Sequence, residues 1–178
     1  MKLSLIPLTI ISLSACSTNN QKTKLTTFDT FVFSYRQLYT DYSIKFTNSD
    51  TIFLQKRFPR PKALFYSIIQ NNDVLKLDSF LTTSSFKKYD TLYVQNNLED
   101  GSSYKFVLTK NMTTNWIFIY GKEGPKTLYE FGNWLSDFKE RQIFYPIDAK
   151  IDFGNLNYIL LPEIPSQPDI KNSKAQRY

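Results

Sequence analysis

Tyr104-Lys105-Phe106-Val107-Leu108, a turn at Lys110-Asn111-Met112, and Trp116-Ile117-Phe118-Ile119-Tyr120 together decide the fold. Successive strand side chains point to opposite faces, so Tyr104, Phe106 and Leu108 fall on one side. On the return run Trp116, Phe118 and Tyr120 share a face, and Ile117 and Ile119 take the other. Two alternating runs around a short polar turn read as a hairpin. The return strand is apolar on both faces, which predicts a central position in a sheet.

Upstream the pattern repeats. Phe31, Phe33 and Tyr35 share one parity, as do Tyr42, Ile44 and Phe46. Asn48-Ser49-Asp50 is a turn signal, and residues 39–58 read as a second hairpin, stopped by Pro59-Arg60-Pro61. Residues 63–70 carry no assignment. Asn71-Asn72-Asp73 then offers a helix N-cap, followed by Val74, Leu77, Phe80 and Leu81 on one helical arc, with Leu75 off it. Residues 90–95 alternate weakly as a strand. Glu99-Asp100-Gly101 reads as a tight turn in which glycine supplies a positive φ. Past residues 121–125, Pro125 or Thr127 opens a second helix. Its stripe is Leu128, Phe131, Leu135 and Phe138, bordered by Trp134, with Tyr129 on the opposite, polar face. Residues 143–147 and 156–161 are candidate edge strands.

Hairpins and one-striped helices predict an α+β domain over residues 28–161: a single antiparallel sheet with two helices packed on one face. Tyr42-Ser43-Ile44-Lys45-Phe46 is echoed by Tyr104-Lys105-Phe106 in the same strand, turn, strand, helix order. A duplicated hairpin-helix unit is one reading of the echo. Chance likeness between two generic units is the other.

The ends read differently. Lys2 precedes an apolar run from Leu3 to Leu13, and small residues lead to Cys16, the one cysteine of the chain. That order is an export signal. The run is shorter than the ~20 apolar residues of a spanning helix. Leu13-Ser14-Ala15-Cys16 resembles the lipobox of bacterial lipoproteins. The resemblance implies a signal peptide over residues 1–15, cleavage before Cys16 and lipid on its thiol. Residues 16–27 read as a flexible tether, and residues 162–178, rich in Pro, Ser, Gln, Asn and Lys, as a disordered tail.

Composition excludes several chemistries. The sequence holds no histidine, which removes a Ser-His-Asp triad and a His-rich zinc site. With Cys16 lipidated no thiol remains, and no cofactor is expected. The formal net charge is +6, with Lys+Arg 22 against Asp+Glu 16. The basic residues are scattered apart from a cluster over residues 56–62, so we expect a solvated face near anionic lipid or glycan rather than a nucleic-acid site. Carboxylate pairs are the surviving catalytic option, at Glu99-Asp100 or at Asp148 and Asp152. Such chemistry needs two carboxyls about 5–10 Å apart across a cleft, whereas turn carboxylates ordinarily bond backbone amides.

Aromatics make up 16% of the chain. They suit either strand cores or a platform on which sugar rings stack. Tyr39 and Tyr129 are the ones expected at the surface. Asp50-Thr51-Ile52 and Asp90-Thr91-Leu92 resemble the Asp-Ser/Thr-aliphatic O-glycosylation sequon of exported Bacteroidota proteins, which makes Thr51 and Thr91 candidate acceptors.

From the lipobox to the closing Ile151-Asp152-Phe153 segment, the layout also resembles a group of short Bacteroidota lipoproteins. No catalytic or binding residue can be carried over from that group. The expectation is a lipid-anchored cell-envelope protein in the outer membrane, facing the periplasm. It is expected to be no enzyme, but a binding or scaffolding module for an envelope protein or glycan. A carboxylate-based hydrolase of envelope glycan is the alternative.

Overall fold

The computed structural model describes residues 28–83, 86–98 and 100–156. The expected signal peptide (residues 1–15), Cys16, the expected tether, Glu99 and the segment beyond residue 156 lie outside the described residues. Among the described residues there are eight strands: β1 (Thr30–Gln37), β2 (Thr40–Thr47), β3 (Thr51–Phe58), β4 (Ala63–Ile68), β5 (Leu92–Val94), β6 (Ser103–Lys110), β7 (Thr113–Tyr120) and β8 (Tyr145–Pro146). Two α-helices join them, α1 (Asn71–Thr83) and α2 (Lys126–Arg141), with one 3-10 turn at Phe86–Lys88. The fold is α+β and dominated by its sheet, whose strand order is β5-β7-β6-β1-β2-β3-β4-β8.

β1 sits in the middle because both neighbours repeat its alternation. Phe33 faces Ile44 on one side and Phe106 on the other, and Tyr35 faces Tyr42 and Tyr104. These odd-numbered β1 residues and their partners form the face under the helices, where Phe31, Phe33, Ile44, Phe46 and Phe106 are fully buried. α2 lays Phe131 over Phe31, with ring centroids 5.6 Å apart, and Phe138 over Phe46, also at 5.6 Å. α1 buries Val74, Leu77 and Leu81 and leaves Leu75 outside, as its arc predicts. Its Phe80 stacks on Phe131 at 3.5 Å, so the two helices share one face. α1 carries the chain from β4 to β5 at one edge, and α2 carries it from β7 to β8 at the other.

Several expectations are corrected. Residues 63–68 form β4. The hairpins β2–β3 and β6–β7 form as read, but β5 does not pair with β6: it lies parallel to β7, against the expectation of an antiparallel sheet. Gly101 therefore closes no β5–β6 hairpin and needs no positive φ. A Cβ there would lie 2.5 Å from Leu98 and 2.8 Å from the Tyr120 ring, so lack of space requires the glycine. In the β5–β6 connection the left-handed residue is Asn97 (φ 62), and the two-residue turn of the β6–β7 hairpin is left-handed at Asn111 (φ 49) and Met112 (φ 62). β7 lies inside the sheet yet second from its edge, with only the three residues of β5 beyond it. Gln70 opens α1: its carbonyl accepts from the Asp73 and Val74 amides, both at 3.0 Å. Asp73 sits inside the first turn and pairs with Arg141 at 3.5 Å. Of the candidate edge strands, residues 143–147 yield only β8. Leu156 is outside any strand, and residues 157–161 lie outside the described residues.

β2 and β6 run in the same direction on opposite sides of β1, with β3 and β7 following outward. With both helices on one face, reflection and not rotation relates the two hairpin-helix units. A duplicated unit should superimpose by rotation, so this arrangement does not support duplication.

Candidate functional site

The face away from the helices is built from the other parity: Val32 and Ser34 of β1, Ser43 and Lys45 of β2, Lys105 and Val107 of β6, and Trp116 of β7. Part of this face is a closed polar network. Arg57 donates from Nε (2.8 Å) and Nη2 (2.5 Å) to Oδ1 of Asp41, and from Nη1 to Ser43 Oγ (2.8 Å) and Gln55 Oε1 (3.2 Å). The Ser34 and Ser43 hydroxyls bond each other at 2.5 Å. Asp41 and Ser43 are buried, and a buried charge is tolerated when it is paired and hydrogen-bonded in this way. The Asp41 carboxylate is thus turned to the guanidinium of Arg57 rather than presented to the open face. We read the network as structural.

Beside it lies a pocket of about 420 Å³, lined by Val32, Lys45, Lys105, Val107, Trp116 and a strap over residues 152–155. The register places Lys45 opposite Val32 and Lys105 opposite Ser34, on strands either side of β1. Two strand spacings and two residues put their Cα atoms about 12 Å apart. Both side chains reach the strap: Lys45 Nζ donates to the Asp152 carbonyl at 2.6 Å, and Lys105 Nζ to the Asn155 carbonyl at 2.7 Å. Between those anchors Phe153 is buried. Gly154 turns the strap with φ +73, a conformation that favours glycine. Its amide donates to Asp152 Oδ1 at 2.7 Å, so that carboxylate is engaged by its own turn. Lys105 is itself buried and lies over the Trp116 ring, 5.6 Å from its centroid. Burial lowers the Lys105 pKa from the ordinary lysine value.

The same face carries an aromatic row. Tyr145 pairs with Tyr66, Tyr66 with Phe53, Phe53 with Lys45, Lys45 with Val32, Val32 with Val107 and Val107 with Trp116. Tyr66 and Tyr145 are 36% and 54% exposed, and their rings lie 5.8 Å apart. A pair of exposed rings thus leads across the sheet to the Lys45 ammonium. By contrast, the groove of about 540 Å³ between α1 and α2 is lined by Phe80, Phe131 and Trp134. Those rings stack on one another, which closes the core.

The residues singled out from sequence are scattered. Cys16 and Glu99 lie outside the described residues. Asp100 is exposed. Asp148 and Asp152 are also exposed and line different depressions, so they do not share a cleft. Among the described residues no group of three or more Asp, Glu, His or Cys converges as a metal site. Thr91 is exposed just ahead of β5. Thr51 is half-buried at the start of β3, with its hydroxyl 3.4 Å from Asp50 Oδ1. Tyr39 is 73% exposed, as expected. Tyr129 is not on a polar face. It is half-buried with its ring 5.6 Å from Tyr104, and its hydroxyl accepts from the Gly124 amide (3.1 Å) and donates to the Gly121 carbonyl (2.9 Å). The 56–62 cluster loses Arg57, which turns inward to Asp41. Lys45, Lys105 and Trp116 are the site residues that sequence reasoning missed. Their off-core parity in aromatic strands was the available signal.

No protein-family model matches the chain, and no curated protein or solved structure matches it.

Proposed function

We propose that this protein is a lipid-anchored binding module of the cell envelope, in the outer membrane and facing the periplasm. Cys16 holds it to the membrane, and the helix-free face of its sheet binds the ligand. The lipobox Leu13-Ser14-Ala15-Cys16 supports the anchor. The observation that carries the binding role is the pocket of about 420 Å³ floored by two lysines and walled by Trp116. Two ammonium groups and an indole recognise a ligand. They supply no acid-base pair, so the role proposed is binding and not catalysis, with no cofactor and no nucleic acid.

The two tryptophans of the chain test this, because Trp116 lies on the open face and Trp134 beside the helices. Detergent-extracted full-length protein is labelled at the indole nitrogens and titrated with fractionated envelope extract. A shift at Trp116 without one at Trp134 supports the binding face; a shift at Trp134 alone, or at neither, rejects it. Cys16→Ser tests the anchor: the variant leaves the membrane fraction or stays as uncleaved precursor, and cleaved, lipid-labelled Cys16→Ser protein rejects it.

A further inference from the structure

We propose that the open face binds an acidic saccharide, a short glycan carrying carboxylate groups, along the row from Tyr145 to Lys45. This rests on the binding role proposed above and names its ligand. Tyr145, Tyr66, Phe53 and Lys45 are consecutive cross-strand partners on four neighbouring strands, β8, β4, β3 and β2. Three strand spacings separate Tyr145 from Lys45, about 14 Å. Exposed tyrosine rings offer a flat apolar surface with a polar tip, which suits the apolar face and hydroxyl rim of a pyranose. Their exposure needs a reason, because an edge aromatic pair is a liability when nothing uses it.

At the end of the row the surface becomes cationic. Lys45 and Lys105 both border the pocket, and Asp152, the one acidic residue among the described residues that line it, is tied to the Gly154 amide. A neutral sugar could hydrogen-bond the ammonium groups but form no ion pair with them, and a bare anion would gain nothing from the rings. A sugar bearing a carboxylate uses both. Its carboxylate would take over the Lys45 ammonium from the Asp152 carbonyl, replacing a neutral acceptor with a charged one.

Trigalacturonate, maltotriose and inorganic phosphate are titrated separately into the full-length protein at low salt, with Trp116 and Tyr66 signals as readout. Trigalacturonate is expected to bind, and to weaken as salt rises. Lys45→Gln is expected to lower its affinity roughly tenfold and Lys45→Arg to restore most of it. Tyr66→Ala is expected to lower it about fivefold. Far-ultraviolet dichroism and thermal midpoints of each variant separate lost binding from lost fold. Equal binding of maltotriose would overturn the role of charge. Equal binding of phosphate, indifferent to Tyr66→Ala, would overturn the role of stacking. If trigalacturonate does not bind while envelope extract still shifts Trp116, the saccharide class falls and the binding role stands. If neither shifts Trp116, both fall.

Discussion

The two faces of the sheet are made by the same strands and do different work. Under the helices, Phe31, Phe33, Phe106 and Phe131 stack ring against ring, and α2 adds Leu128, Leu135 and Phe138, all buried. On the open face, apolar side chains alternate with Arg57, Lys45 and Lys105, and what covers the pocket is a strap held by two lysine–carbonyl bonds. Rings closed on all sides by other rings contribute stability. Charges held at the edge of a half-covered pocket are what the proposed binding role assigns to recognition. A strand with period two serves both, because one residue step changes the face.

The sharpest break between the faces lies within β6. Phe106 is fully buried under α2, and its neighbour Val107 is half-exposed on the pocket side. Phe106→Ala is expected to cost about 3–5 kcal/mol, through lost transfer energy and a cavity. Val107→Ala is expected to cost under about 1 kcal/mol. Urea denaturation of both variants checks this, and equal costs would show that the open face is as much a core as the other.

Arg57 is the exception on the open face. Its side chain and that of Asp41 are 16% and 11% exposed, and removing the arginine leaves Asp41 unpaired. Arg57→Ala is expected to cost about 2–3 kcal/mol, below the range for fully buried pairs. Asp41→Asn in that background should recover part of the loss. A double-mutant cycle measures it, and no recovery would mean that Arg57 acts through packing alone.

Alkaline pH separates the faces by sign. Tyr35, beneath the helices, has its pKa pushed up to about 12 by burial first and then by Tyr104. Burial raises Tyr42 and Tyr104 too. In each case the unfolded chain loses its proton first. The stability these groups confer is complete below the ordinary tyrosine pKa of 10.0, and for Tyr35 is lost as pH climbs through about 12. Lys105 on the open face works in the other direction. Its pKa is lowered from 10.5 by desolvation, so between the lowered value and 10.5 the unfolded chain holds more protons and stability rises with pH. Thermal midpoints across pH 8–12 are expected to fall at the alkaline end, and less steeply in Tyr35→Phe. An unchanged slope in that variant would remove Tyr35 from the account.

The covered face was the legible one. Phe31, Phe33, Ile44, Phe46 and the α2 stripe announce themselves by period, because burial repeats with the backbone. What sequence concealed was partnership. β5 shows strand character, but nothing in residues 92–94 says that it pairs parallel with β7 beyond the hairpin. Arg57 reads as one member of a basic cluster because its partner Asp41 is distant in sequence and meets it only across β2 and β3. Tyr129 reads as polar-facing because its loop carbonyl and amide partners are backbone groups, which carry no sequence signature. The pocket was half legible: the parity of Lys45 and Lys105 sends them away from the core, but only the return of residues 152–155 gives them something to hold.

The smallest expected effect tests that return. The Lys45–Asp152 bond lies at the surface, and a single bond of this kind contributes about 0.5–1.5 kcal/mol. Lys45→Gln should therefore leave the global unfolding midpoint nearly unchanged, because the helix face retains every ring contact. Local opening of the strap is a different quantity. It requires only that residues 151–156 lift, and its free energy is set by the two lysine bonds and the burial of Phe153. Losing one of those three holds should raise amide hydrogen exchange across residues 151–156 by several-fold, while peptides from α2 keep their protection. Phe153→Ala should raise it further, since the aromatic ring is the largest apolar surface holding the strap. If Lys45→Gln speeds exchange in α2 as much as in the strap, the two faces open together and the strap is not a separate unit. If it speeds neither, Lys105 and Phe153 hold the strap alone.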